Sequence, residues 1–361
     1  MLSDVFVLSD AIVSPLGVTT EENFAAIAAG RSGVRLFDRA DMSPKPFYAS
    51  LFDERPLFDD LVFDAASSAL GASGLSASDP RLAFIVCSTK GNISRLEAGI
   101  VDPAAFSLSA SALLVASRLG VVAEPLVVSH ACISGLQGMI TGMRLIQAGL
   151  YDHALVCGAD LITRFILSGF QSFQAVSPEP CRPFDADRQG VTLGEAGAAL
   201  VLSKHPSGIR LAGGAVSNDA NHISGPSRTG EELFMAIRRA WHGEPIDFIS
   251  AHGTATLYND DMEARAINLA GLASVPVNSL KGYYGHTLGA AGLLESIISV
   301  QSLRENLVLA TPGFRRPGTV VPVTVAAANM SMPLRRCLKT ASGFGGCNAA
   351  VVLEKTDLAT A

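Results

Sequence analysis

Short runs of continuous apolar, often β-branched residues recur along this chain, and they limit its fold more than any other feature. They include Val5–Leu8, Leu82–Cys87, Leu126–Ser129, Ala154–Gly158, Ala198–Leu202, Asp247–Ala251, Val275–Ser279, Val320–Ala326 and Ala349–Leu353. Runs of this length without apolar–polar alternation read as strands buried on both faces. Between them lie helix-length patterns at Ser134–Ala148, Gly230–Trp241, Met262–Leu269 and Thr287–Asn306. Strands alternating with helices predict an α/β protein on a mainly parallel central sheet. The 361 residues exceed one ordinary domain of ~100–200 residues, so two domains or two packed halves are expected.

Composition removes several classes of function. With 48% hydrophobic and 17% charged residues, the bulk of the chain is not disordered. Lys and Arg number 27 against 33 Asp and Glu, a net charge of −6, and no basic block occurs, so no nucleic-acid partner is expected. Pro125–Met143 and Pro317–Leu334 lack charges, but polar residues and prolines interrupt them. Neither is the ~20-residue apolar span a bilayer demands, so no membrane association is expected. The N-terminal MLSDVFVLSD has no basic leader, which reads as a cytoplasmic protein without a signal peptide. Six cysteines are scattered without a CxxC, against both a disulfide framework and a zinc site. No phosphate-loop or dinucleotide glycine pattern follows a strand. No cofactor or metal is expected.

An internal echo divides the chain. Leu126–Ser129 leads through a tight turn to CISGLQG at Cys132, and Val275–Ser279 leads through Lys281 and KGYYG to HTLGAAG at His286. Both segments open on small residues. Two equivalent halves are expected, 1–204 and 205–361, with the division near Lys204–Ser207. Any α/β chain also offers strand–turn–helix units, which is the plainer alternative.

Three residues at such junctions could carry chemistry. Cys132 stands between a strand and an amphipathic helix bearing Ile133, Leu136, Ile140 and Met143. A thiol at a helix N-terminus feels unpaired N–H groups and the positive dipole end, which can lower its pKa from ~8.5 to ~7.5 or below. The alternative is a packed cysteine at a strand end. His252, in AHGTAT, follows a buried strand at the end where open α/β sheets bind ligands. His286 is expected to begin a helix whose dipole keeps its imidazole neutral. Lys281 and Glu263 are expected to pair and fix the two histidine loops, or else to be two solvated side chains. Phe344, in GFGGCN, sits in a glycine-rich turn that could gate a pocket or offer a backbone N–H.

Together these segments resemble the β-ketoacyl-(acyl carrier protein) synthases, elongating condensing enzymes of the thiolase-like superfamily. The similarity runs in order through IVSPLG with EENFAAIAAGRSGV, HACISGLQGMITGMRLIQAG with CGAD, CRPFDADRQGVTLGEAGAALVLSK, SNDANHISGP, AHGTATLYNDDMEA, NSLKGYYGHTLGAAGLLE and SGFGGCNAAVVLEK. It implies a thiolase-like α/β fold of two βαβ-rich halves, their mixed sheets packed in α-β-α-β-α layers. It also implies roles. Cys132 would accept an acyl group from a carrier thioester. His252 and His286 would bind a malonyl-type thioester carbonyl and promote decarboxylation. The N–H groups of Cys132 and Phe344 would form an oxyanion hole. Lys281 and Glu263 would support the histidines, Phe344 would gate, and Phe170 would line the acyl pocket or its entrance.

The partners implied are an acyl carrier protein, acyl and malonyl thioesters, and a homodimer or a heterodimer with a related subunit; the pathway would be fatty-acid, polyketide or polyene biosynthesis. The chain is short for the family around Phe37–Asp60 and Lys90–Ser111, and Gln174 stands where an arginine is common. Two other readings remain. One is a non-catalytic partner of the chain-length-factor type, which Cys132 and both histidines oppose. The other is a thiolase, which would use a second cysteine such as Cys347.

Overall fold

A computed structural model describes residues 3–100, 102–220 and 225–357. Eleven strands form one hydrogen-bonded series of two five-stranded sets plus an edge. The first set runs Phe6–Val13, Ala196–Ser203, His153–Asp160, Leu82–Cys87 and Leu126–Val128, paired antiparallel, antiparallel, parallel and parallel. The second runs Ile209–Asn218, Cys347–Lys355, Arg336–Gly343, Phe248–Ser250 and Pro276–Asn278, with the same succession of pairings. Thr324–Val325 adds a parallel edge, and a single pairing of Phe6 with Arg210 joins the two sets.

The sheet is therefore mixed rather than mainly parallel. Ala196–Ser203 and Cys347–Lys355 each run antiparallel to both neighbours. Two strands that set this pattern interrupt their apolar runs with polar residues or glycine, as IRLAGGAVSN and RCLKTASG. The expected strand at Val320–Ala326 shrinks to Thr324–Val325.

Five layers follow from the packing. The helices Phe58–Ser73 and Leu108–Leu119 cover the outer face of the first set, while Glu231–Ala240 and Leu257–Leu269 cover that of the second. The helices Ser134–Gln147 and Ala291–Glu305 lie between the sets and share one core with the inner faces of both. Residues Ala291 to Leu303 are buried on every side, as a helix between two sheets must be.

The two central helices cross at glycine. A Cβ on Gly135 would lie 2.8 Å from the backbone N of Leu293, and one on Gly292 would lie 3.1 Å from that of Leu136. Only residues without a side chain let the two backbones approach this closely. The crossing brings the loop before one helix against the loop before the other.

Candidate active site

Cys132 sits on a strained turn. The strand Leu126–Val128 passes through Ala131, whose φ of 45° is left-handed, to Cys132 and then to the helix that starts at Ser134. Such a conformation costs a non-glycine residue about 1–3 kcal/mol and needs surrounding structure to hold it. Ser134 does so. Its Oγ accepts from the His130 N–H at 2.8 Å and donates to the Ala131 carbonyl at 2.6 Å. On the other side, a Cβ on Gly343 would lie 3.0 Å from the Cys132 nitrogen, so the end of the strand Arg336–Gly343 abuts the turn.

His286 comes from the second half. Its N–H donates to the Thr192 carbonyl at 2.6 Å, and its carbonyl accepts from the Gly194 N–H. It precedes a 3₁₀ turn, Leu288–Ala290, and the helix proper begins only at Ala291. His286 Nε2 lies 3.1 Å from Cys132 Sγ. The His252 ring meets the His286 ring edge-on, with centroids 5.1 Å apart. The sulfur and one nitrogen of each imidazole all lie within 4.8 Å of one another.

Glu263 anchors the His252 loop. Its carboxylate accepts from the backbone N–H groups of His252 (2.8 Å) and Gly253 (2.7 Å) and from Thr340 Oγ1 (2.6 Å). These donors occupy its oxygens, so the expected pairing with Lys281 does not form. Lys281 Nζ instead meets Glu295 Oε1 at 2.6 Å, and Lys339 Nζ meets the other oxygen of the same carboxylate at 2.7 Å. All three side chains are buried. Glu295 and Lys339 were not singled out from the sequence, although each is conspicuous there. Glu295 is the only charged residue between Lys281 and Arg304, and Lys339 the only one between Arg336 and Glu354.

The electrostatics correct two expectations. Burial pushes the Cys132 thiol up to about 12, and the neighbouring Cys347 thiol adds to this, while Lys281 and the Phe344 N–H pull the other way. Desolvation thus outweighs the helix terminus, which begins at Ser134, two residues after Cys132. Both imidazoles are held well below their usual range, as expected of neutral rings, but burial is the main cause rather than a helix dipole. Lys281 and Lys339 add to it at both rings, and His286 adds at His252.

A cavity of about 400 Å³ opens above these groups. Cys132, His252 and His286 line its floor, Thr254 and Thr256 its wall, and Phe170, Phe344 and Gln174 are also lining residues. Phe344 packs between Phe170 (centroids 5.6 Å) and Phe173 (5.7 Å). Phe173 and Tyr258 are largely exposed at the cavity and were not foreseen. The Phe344 N–H faces the Cys132 sulfur. Cys347 points elsewhere, with Sγ on the carbonyls of Phe344 and His130. Of the segment SNDANHISGP, residues 221–224 lie outside the described residues.

Residues 72–207 match the N-terminal domain family of β-ketoacyl synthases, and residues 209–315 match the corresponding C-terminal domain family. The chain belongs to the β-ketoacyl synthase family. It is 29% identical to 3-oxoacyl-(acyl-carrier-protein) synthase 2 of Vibrio cholerae, over 97% of this chain and 99% of the relative. It is 32% identical to nodulation protein E of Rhizobium leguminosarum bv. trifolii, over 68% and 65% of the two chains. Among solved structures, the ishigamide ketosynthase/chain length factor superposes with a TM-score of 0.88 at 27% identity, covering 99% of this chain and 100% of that one. A ketosynthase in complex with its chain length factor from Xenorhabdus doucetiae gives 0.84 at 26%, covering 98% of each. The fold is thiolase-like, as expected. Among the described residues, no helix is long and apolar enough to cross a membrane.

Proposed function

We propose that Cys132 carries the growing acyl group and that His252 and His286 drive decarboxylation of a malonyl thioester delivered on an acyl carrier protein. The observation that carries this reading is the 3.1 Å contact of Sγ with His286 Nε2, beside a second neutral imidazole and under an open cavity. In the first step, Sγ attacks the carrier thioester while Nε2 takes its proton, and the departing carrier thiol receives that proton. In the second, the C–COO⁻ bond of the malonyl group breaks, CO₂ leaves, and its electron pair becomes an enolate. Ring N–H groups of the two histidines hydrogen-bond the enolate oxygen. The carbanion carbon attacks the acyl carbonyl on Cys132, with the N–H groups of Cys132 and Phe344 serving the tetrahedral oxyanion. Collapse breaks the C–S bond and releases Cys132 as a thiolate, which takes up one proton from solvent through His286 Nε2 to restore the thiol.

Phe344, held between Phe170 and Phe173, would gate the mouth, and Phe170 would shape the passage toward the thiol. A thiolase-type second thiol base finds no support, because Cys347 faces backbone carbonyls. The halves 1–204 and 205–361 would be two copies of one topology, which the matching pairings support. The strand Leu126–Val128 is an outermost strand with Leu126 exposed, and Leu113 and Leu114 are exposed on the helix Leu108–Leu119. That surface suits pairing with a second copy or a related chain-length-factor-like subunit, in the cytosol.

The test is transfer of a labelled acyl group from carrier protein to wild type and to Cys132→Ala, with CO₂ release from malonyl carrier measured for each, alone and mixed with such a subunit. Label on wild type and none on the variant is expected. Wild type that acquires no label at any chain length would refute the reading. Light scattering that finds only monomer, alone and with the subunit, would remove the pairing.

A further inference from the structure

Behind the two histidines lies a charged group that the reaction above does not use. Lys339 is fully buried on the strand Arg336–Gly343, in parallel register with Ser250. Its Nζ donates to the carbonyls of Ser250 (3.1 Å), Ala251 (3.2 Å) and Thr340 (2.8 Å) and pairs with Glu295. Every neighbour named is an oxygen acceptor, which favours the ammonium form, and Glu295 holds it charged against the burial that lowers its pKa. Ser250 and Ala251 are the two residues before His252. The His252 loop is therefore held from its N–H side by Glu263 and from its carbonyl side by Lys339.

We infer that Lys339 is a positioning residue for decarboxylation: it tethers the strand end carrying His252 and, with Lys281 across the single carboxylate of Glu295, keeps a positive floor beneath both imidazoles. The inference rests on the reading of the reaction given above. Two ammonium groups sharing one carboxylate leave one positive charge uncompensated within the triad. A carboxylate balancing each ammonium would cancel it. Of the other ionisable groups nearby, Cys132 on the nucleophile turn faces the rings. Glu263 and Asp260, on the helix Leu257–Leu269, instead turn their carboxylates to backbone N–H groups of the His252 loop. Glu263 is also within electrostatic reach of Lys339, and Arg188 lies beside Asp260. A positive floor opposes protonation of the histidines and favours negative charge as it develops on the enolate oxygen.

The perturbation is Lys339→Met, which keeps the stem and removes the charge and the tether. Its CO₂ release should fall about tenfold or more, since loosening of an approaching group is costly, while acylation of Cys132 stays within about threefold. The rings should also protonate at higher pH, because a cation that depressed them is gone. Activity that needs neutral rings is lost as pH falls through their pKa, so the acidic limb of CO₂ release should move up by about one pH unit. Lys339→Met/Glu295→Gln restores a single positive charge. Its limb should return to the wild-type position while CO₂ release stays low, because the tether is still missing.

A folded Lys339→Met with an unmoved limb and an unchanged ratio of CO₂ release to acylation would overturn the inference. So would wild-type CO₂ release by the double variant. If neither variant folds, NMR titration of wild type decides, because either ring protonating at or above the ordinary imidazole range contradicts the positive floor. Wild type that neither takes up label nor releases CO₂ would instead defeat the underlying reaction.

Discussion

Replacing Gly135 with alanine tests how the fold builds the site. The new methyl would fall 2.8 Å from both the Cβ and the backbone N of Leu293 and 2.9 Å from the Gly289 carbonyl. Ordinary carbon contacts lie at about 3.5–4.0 Å. The obstacles include backbone that cannot rotate away, so the two central helices must part by roughly 1 Å. Overpacking of this kind costs about 1–3 kcal/mol, or a fall in Tm of a few degrees for a chain of this size. Separation also carries Cys132 away from His286, now 3.1 Å apart. A misplacement of ~1 Å can cost on the order of 10²-fold in rate. Single-turnover acylation should therefore drop about 10- to 100-fold while circular dichroism at 25 °C stays native. Gly71→Ala, in the helix Phe58–Ser73 where a Cβ meets nothing within 4 Å, is the control and should leave Tm equal or raised. Gly135→Ala with unchanged Tm and acylation within twofold of wild type would refute the claim that this crossing sets the site geometry.

The two histidines should separate by assay. His252→Ala should lose CO₂ release by about 10²-fold or more yet acylate Cys132 within about threefold, whereas His286→Ala should lose both, because a thiol held at about 12 then loses the imidazole nitrogen in hydrogen-bond contact with it. Acylation of His286→Ala at the wild-type rate would end that assignment. A thiol raised by burial stays protonated through neutral pH, so its thiolate fraction grows tenfold per pH unit below its pKa. Alkylation of Cys132 by iodoacetamide, followed by mass spectrometry, should climb steadily from pH 6 to 9. A plateau near pH 7.5 would mean that the helix terminus outweighs burial after all.

Much of this architecture was legible because its signals are local. Leu82–Cys87 is strand over its full expected length, and the helices from Ser134 and Glu231 begin within a residue of their expected starts. The small residues of CISGLQG and HTLGAAG were legible as an echo between the halves, and Gly135 and Gly292 prove to be where the two central backbones cross. What failed to show was pairing direction and partner choice. Ile209–Asn218 and Arg336–Gly343 carry glycine or charge in buried positions, so an apolar-run criterion passes over them. Spacing along the chain suggested Glu263 as the partner of Lys281, but the fold turns Glu263 toward backbone N–H groups and lets the helix Ala291–Glu305 supply Glu295.

The buried charges make sense as a consequence of where the site lies. Cys132 comes from the first half, while both histidines, Lys281, Glu295 and Lys339 come from the second. Glu295 sits one turn past Gly292 on the helix that crosses beside Cys132, so the crossing that brings thiol to imidazole also buries this carboxylate beneath it. A lone buried carboxylate would be strongly disfavoured. Lys281 and Lys339 relieve it, one on each oxygen. A single lysine would have sufficed to neutralise it. The second adds a positive charge under a pair of rings that must stay neutral, beneath a substrate oxygen that must become negative. Packing alone gives no reason for that second lysine, whereas the chemistry above it does.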